Sequence, residues 1–223
     1  MKVDTEKESN MERKTAFIYT GGTVFDEYVI EKPEKGDLVI AADAGYLTAR
    51  RLGITPDIVL GDFDTLGEAN IPDGVECLRV PAEKNDTDTQ LAVQVAIERG
   101  VWEIVIVGGL SGRIDHTLST LAILENLWER KAGRIYATVT DGKNRVRFIR
   151  NSGTILPRSQ YHYFSLIAAD ETVKGITLDG CKYPLKNGRI SRRHQWAVSN
   201  EITGNCALIE IKRGGVWVIE SMD

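Results

Sequence analysis

The sequence has little that would tie it to a membrane, a nucleic acid or an oxidising compartment. Net charge is −4 over 223 residues and the isoelectric point is near 5.5. That leaves no bulk basicity to hold phosphate backbones or anionic lipid. Cysteine is scarce. Cys77, Cys181 and Cys206 are odd in number, widely spaced and without a CxxC pair. They read as buried thiols in a reducing compartment, neither a disulfide frame nor a zinc site. No apolar run approaches the roughly 20 residues that cross a bilayer. The N-terminus also lacks the apolar core of a signal peptide. Internal repeats and low-complexity tracts are missing too. What remains is ordinary globular composition, 42% hydrophobic and 27% charged, and a cytoplasmic protein is expected.

Residues 1–14 hold almost no apolar side chains and are expected to form a solvated, mobile tail, with Met11 as an alternative start. From Thr15 the chain alternates apolar runs with helical stretches. The runs are Ala16 to Tyr19, Leu38 to Ala42, Ile58 to Leu60, Cys77 to Val80, Ile104 to Val107 and Ile135 to Val139. Helices are expected over Tyr46 to Leu52, Asp88 to Arg99 and Asp115 to Arg130. Strands alternating with helices predict a doubly wound, mostly parallel sheet covered on both faces. After Asp141-Gly142 the texture changes to short β-rich runs: Arg145 to Ile149, Tyr161 to Ala168, Val173 to Leu178, Gln195 to Ser199, Ala207 to Lys212 and Val216 to Glu220. Gly, Asn and Asp turns separate them. The expected fold is α/β: a nucleotide-binding domain over 15–142 followed by a small all-β sandwich over 143–223.

Three acidic clusters follow apolar runs: Gly61-Asp62-Phe63-Asp64, Lys84-Asn85-Asp86-Thr87-Asp88 and Gly112-Arg113-Ile114-Asp115-His116. In a parallel sheet the carboxyl ends of the strands share one edge, so the clusters converge there. Carboxylates gathered in one crevice repel unless a cation holds them. Mg²⁺, a hard ion that takes oxygen ligands and carries substrate phosphates, is the economical answer. Asp62 and Asp64 point the same way if their segment is extended. Each motif has a plainer reading. Thr87 and Asp88 sit where a helix N-cap belongs. Asp43, in Asp43-Ala44-Gly45, is placed to cap the helix that follows. His116 fits the first turn of its helix. The turn Gly108-Gly109-Leu110-Ser111-Gly112-Arg113 is neither a Walker A nor a GxGxxG motif. Its backbone N–H groups and the Arg113 fork nonetheless suit an anion. Trp102, Trp128 and Trp217 read as packing residues. Tyr183 and Trp196 offer aromatic faces to a planar or cationic ligand.

In order and spacing these motifs resemble the thiamine pyrophosphokinase family. The resemblance rests on Asp43-Ala44-Gly45, Gly61 to Thr65, Pro81 to Asp88, Gly108 to His116, and Tyr183-Pro184-Leu185 with Val198-Ser199-Asn200, and it spans nearly all of residues 16–220. It departs where Asn85, Thr65, Tyr183 and Ala197 replace the family's more usual Asp, Ser, Trp and Ser. The resemblance implies a homodimer that transfers pyrophosphate from ATP to the hydroxyl of thiamine and releases AMP. It also implies that Asp62, Asp64 and Asp88 hold Mg²⁺ and the ATP phosphates, and that Arg113 and Asp115 contact the nucleotide, with Lys84, Thr87 and Gly109 beside it. Asp43 and Asp115 are the candidate general bases. Tyr183, Ser199 and Asn200 are expected on the thiamine side, reaching across the dimer interface. Two other classes fit the acidic set: a Mg²⁺-dependent nucleotidyltransferase and a nucleotide-sensing module that binds without turnover.

Overall fold

The computed structural model describes residues 14–62, 71–80 and 85–223. Asp64, Lys84 and all of the expected tail except Lys14 therefore lie outside the described residues. The first elements are β1 (Thr15–Tyr19), β2 (Leu38–Ala42), α1 (Gly45–Arg51), β3 (Ile58–Gly61) and β4 (Glu76–Arg79). It continues through α2 (Asp88–Glu98), β5 (Glu103–Val107), α3 (Ile114–Lys131) and β6 (Tyr136–Thr140). These strands lie in the order β4-β3-β2-β1-β5-β6, all parallel. The central strands β1, β2 and β5 are apolar almost throughout because both of their faces are covered.

Period-2 alternation sorts β1 onto two cores. Ala16 and Ile18 face the core built with α2 and α3, while Phe17 and Tyr19 face the one that holds Ala49 of α1. From β1 the chain steps outward through β2 and β3 to β4, then returns to the other side of β1 as β5. The direction of winding reverses between β1 and β5. In an open parallel sheet that is where a crevice forms at the carboxyl ends of the strands.

Seven further strands follow: β7 (Asn144–Arg150), β8 (Gly153–Pro157), β9 (Tyr163–Ala168), β10 (Thr172–Asp179), β11 (Leu185–Ser191), β12 (Cys206–Arg213) and β13 (Gly215–Ser221). β7, β13 and β9 pair antiparallel and extend the first sheet to nine strands, so that sheet runs across position 142. The other four form a second sheet in the order β11-β10-β12-β8. One apolar cluster joins the two sheets and includes Leu166, Val216 and Val218 on one side and Val173, Ile176 and Ile209 on the other. β13 buries both faces: Val216 and Val218 point into this cluster, Trp217 and Ile219 into the core under α3.

Three expectations are corrected. Gln195 to Ser199 is not a strand. Ser199 takes a left-handed φ of 55°, and the Gln195 side-chain amide bonds Ala168 N–H at 3.0 Å, standing in for backbone at the free edge of β9. Two of the three cysteines are not buried: Cys77 and Cys206 are exposed, and only Cys181 is enclosed. Cys77 lies on the edge strand β4 and Cys206 on the outward face of β12. Trp102 is 44% exposed, because it precedes β5 in the turn that leaves α2. Trp128 and Trp217 do pack, each edge-on to Phe148 at 6.4 and 6.1 Å.

Candidate active site

The crevice at the β1/β5 reversal is a cleft of about 350 Å³. Its floor is glycine. Gly21 follows β1, and Gly108 and Gly109 follow β5. Gly109 N–H donates to Gly21 O at 3.0 Å, which fixes the two turns edge to edge. Gly108 and Gly109 have φ of 102° and 73°. A Cβ on Gly108 would lie 2.8 Å from Thr20 O, so the close approach needs glycine. Gly45 is tighter still: a Cβ there would lie 2.0 Å from Tyr19 O, and this lets α1 start directly beneath the end of β1.

Asp43 lies on the cleft wall at the end of β2. Its φ is 48°, a left-handed conformation rare for a side-chain-bearing residue. Its N–H bonds Leu60 O at 2.7 Å and its carbonyl accepts from Tyr46 N–H at 3.1 Å. The N-cap of α1 is Ala44, with no side-chain cap. The Asp43 carboxylate is therefore not occupied in capping. Asp62 directly follows β3 and is half-buried. Asp88 lines the cleft from the first turn of α2.

Thr87 does what its plainer reading requires. Its hydroxyl accepts from Gln90 N–H at 3.2 Å, and its own N–H donates to Gln90 Oε1 at 2.8 Å. This capping box fixes where α2 begins and thus where Asp88 stands. At α3 the N-cap residue is Arg113 and has no side-chain cap, so the positive end of the 18-residue helix opens on the cleft. Arg113 Nη2 meets Asp115 Oδ2 at 2.6 Å, both exposed. The hydrogen bond from Arg113 holds the Asp115 carboxyl below its usual range, and Asp115 raises the guanidinium. Asp115 thereby orients Arg113, which lines the cleft beside His116.

The sequence reading missed Thr20, Thr89 and Thr120 as cleft residues. Thr20 Oγ1 and Thr89 Oγ1 lie 3.2 Å apart and join the end of β1 to the first turn of α2. Ser111 Oγ accepts from Thr23 N–H at 2.6 Å and ties the two glycine turns together. Their signal was the pair Gly21-Gly22 after the first strand, which gains meaning only once β1 is known to neighbour β5. No group of three or more Asp, Glu, His or Cys close enough for a metal occurs among the described residues; Asp64 is outside them.

A second pocket of about 270 Å³ lies in the antiparallel half. Phe164, Leu178 and Leu185 form its apolar side, and Tyr183 and Trp196 stand at its rim, 59% and 45% exposed. Asn200 is buried and fully engaged. Its Nδ2 donates to Tyr183 O at 2.9 Å and to Cys181 Sγ at 3.4 Å, and its Oδ1 accepts from the N–H of Tyr183 and of Glu201. Burial pushes the Cys181 thiol up. Ser199 is exposed, with its N–H on Ser165 Oγ at 3.0 Å. No residue of this pocket lines the first.

Residues 31–137 match the family model "Thiamin pyrophosphokinase, catalytic domain", and residues 153–216 match "Thiamin pyrophosphokinase, vitamin B1 binding domain". The chain belongs to the thiamin pyrophosphokinase family. Relatives in that family agree in sequence and in fold. The chain is 31% identical over 191 residues to the thiamine pyrophosphokinase of Bacillus subtilis, covering 83% of this chain and 88% of that protein. The crystal structure of the Bacillus subtilis thiamine pyrophosphokinase superposes with a TM-score of 0.82 at 26% identity, over 94% of this chain and 100% of the other. The Geobacillus thermodenitrificans structure gives 0.80 at 27% identity, over 94% and 98%. The first cleft falls mainly in the region matched by the family's catalytic-domain model, and the second pocket wholly in the region matched by its B1-binding model.

Proposed function

We propose that this chain transfers the pyrophosphoryl group of ATP to the hydroxyl of thiamine, giving thiamine diphosphate and AMP. The observation that carries the reading is the partition of two pockets between the two family regions. One is a carboxylate- and glycine-lined cleft at the sheet reversal; the other is an aromatic-rimmed pocket in the antiparallel half. The family supplies the substrates, and the chemistry of each pocket suits the one assigned to it.

The glycine turns and the uncapped start of α3 offer backbone N–H groups to the phosphates, and Arg113, oriented by Asp115, adds a forked donor. Asp62, Asp64 and Asp88 would hold Mg²⁺. The described members of that set are carboxylates, hard oxygen donors that fit such an ion. When bound, it neutralises phosphate charge and orients the chain for in-line attack. Asp43, free of capping duty and facing the cleft, is the candidate base for the thiamine hydroxyl. Tyr183 and Trp196 would face the aromatic rings of thiamine. Asn200 holds the Tyr183 loop by three hydrogen bonds, so its part is to position Tyr183, while the exposed Ser199 is placed for direct contact.

The finer architecture follows the same reading: a doubly wound ATP domain over 15–142 and a thiamine-binding β-sandwich over 143–223. The two pockets share no residue. A C₂ homodimer in the cytoplasm, with the sandwich of one copy serving the cleft of the other, brings them together. Mixing tests this. Asp88→Asn and Tyr183→Ala proteins, each inactive with ATP and thiamine, should regain activity when unfolded and refolded together, since a mixed dimer contains one intact composite site. No recovery, or an active monomer in light scattering, overturns the shared site.

A further inference from the structure

We propose that a third cavity, over β5 and β6 on the face of α1, is a binding site for a small organic anion with an apolar body. The cavity has a volume of about 330 Å³, within the range of small-molecule sites. It exists because the covering of this face has a gap. α1 covers β1 and β2, and the second sheet covers β7, β13 and β9. Between them the connections from β1 to β2 and from β8 to β9 lie over Val105, Thr138 and Thr140.

The strand registers show how unusual this part of the face is. One cross-strand row reads Val105, Thr138, Arg147, Val218; the next reads Val107, Thr140, Arg145, Glu220. Threonine and arginine interrupt valine in the first row, and the second is polar from Thr140 through Glu220; of these residues Thr138, Thr140 and Arg145 line the cavity. Arg145 and Arg147 share one carboxylate, Glu220, which is 2% exposed. The cluster therefore carries one uncompensated positive charge. Arg145 gives Nε and Nη2 to Glu220 and lines the cavity, with no hydrogen bond from Nη1 among the described residues. Thr138 is 6% exposed and lines the cavity too, and its hydroxyl has no hydrogen-bond partner among the described residues. The hydroxyl is open to the cavity, where water or a ligand oxygen can take the bond that the protein does not supply. Tyr161 OH, 3.3 Å from Thr140 Oγ1, adds a further polar group.

The opposite wall is apolar, formed by Val29 and Ile30. That wall is held from several sides, so the cavity is preformed. Arg51 bonds Val24 O at 2.9 Å and Asp26 at 3.1 Å. Phe25 N–H bonds Asp141 O at 2.8 Å. Gln160 pairs with Val29 through both its amide atoms, at 2.9 and 2.6 Å. Glu31 is exposed on the same lining, so the surroundings hold two guanidiniums and two carboxylates, the pull on an anion is local to Arg145, and a monoanion is the fitting class.

The test uses benzoate, an apolar ring bearing one carboxylate, with benzyl alcohol as its neutral counterpart. Binding is read by saturation-transfer NMR on the full chain, independently of ATP or thiamine turnover. The native protein should bind benzoate in preference to benzyl alcohol. Thr138→Val keeps shape and strand preference and should weaken benzoate about tenfold. Arg145→Met leaves Glu220 paired with Arg147, and it should abolish the preference over benzyl alcohol. The proposal is overturned if benzoate shows no binding up to millimolar concentrations, if benzyl alcohol binds equally well, or if both folded variants bind benzoate as the native protein does.

Discussion

Glu220→Gln is the substitution to which the antiparallel half should be most sensitive. Glu220 accepts from Arg145 Nε at 2.8 Å, Arg145 Nη2 at 2.7 Å and Arg147 Nη2 at 2.6 Å. Glutamine keeps the shape but removes the carboxylate that both guanidiniums bond, and it turns an NH₂ group toward a donor. Arg147 is 6% exposed and cannot reach water; its Nε already lacks a partner. Breaking a buried ion pair on one side costs about 3–5 kcal/mol. For a chain of this size that is a fall in Tm of about 6–20 °C. Urea unfolding followed by circular dichroism should show a lower midpoint with an unchanged slope, the mark of altered stability with the same surface exposed. Glu220→Gln combined with Arg147→Met should be more stable than Glu220→Gln alone, because the stranded buried charge is then gone. A loss below about 1 kcal/mol for the single variant, or a double variant no better than the single, would refute the argument that charge balance holds this face together.

Three further outcomes follow. Thr87→Ala should lose about 1 kcal/mol of stability in the same urea assay, since it removes the cap of α2, and Thr87→Ser should restore most of it. Tyr19 should be the last phenol to ionise in a 295 nm alkaline titration, because burial pushes it up to about 12. Its folded pKa lies above the unfolded value of 10.0, so its contribution to stability is complete below pH 10 and is lost as pH rises toward 12. Asn200→Ala should raise the thiamine KM with little effect on ATP, because it releases the Tyr183 loop and touches nothing in the first cleft; steady-state kinetics with each substrate varied in turn checks this.

The parallel half was legible because its signals are local. Continuous apolar runs mark strands buried on both faces, and the caps at Thr87 and at Gly100 bound α2. The antiparallel half was harder. β8 reads Gly153-Thr-Ile-Leu-Pro157, with Leu156 fully buried but Ile155 exposed, and β11 reads Leu185-Lys-Asn-Gly-Arg-Ile-Ser191, with only Ile190 fully buried. Edge strands of that kind carry little periodic signal. The run from Gln195 looked extended, yet side-chain and left-handed geometry complete the edge of β9 there. That β7, β13 and β9 join the first sheet is a matter of long-range pairing. Its one sequence trace is β13, where Val216-Trp217-Val218-Ile219 is apolar on both faces. In the cleft, Asp43, Asp88, Gly109 and Arg113 were found by motif, each at a strand end or helix start. Thr20, Thr89 and Thr120 were not, since a threonine after a strand means little until the neighbouring strand is known.

The most direct test of the proposed activity is product analysis with ATP labelled on its β-phosphate. With thiamine present, AMP and labelled thiamine diphosphate should accumulate in equal amounts, and Asp88→Asn should stop both while leaving the circular dichroism spectrum unchanged. Release of labelled inorganic pyrophosphate, formation of ADP with thiamine monophosphate, or full turnover by Asp88→Asn would contradict the account.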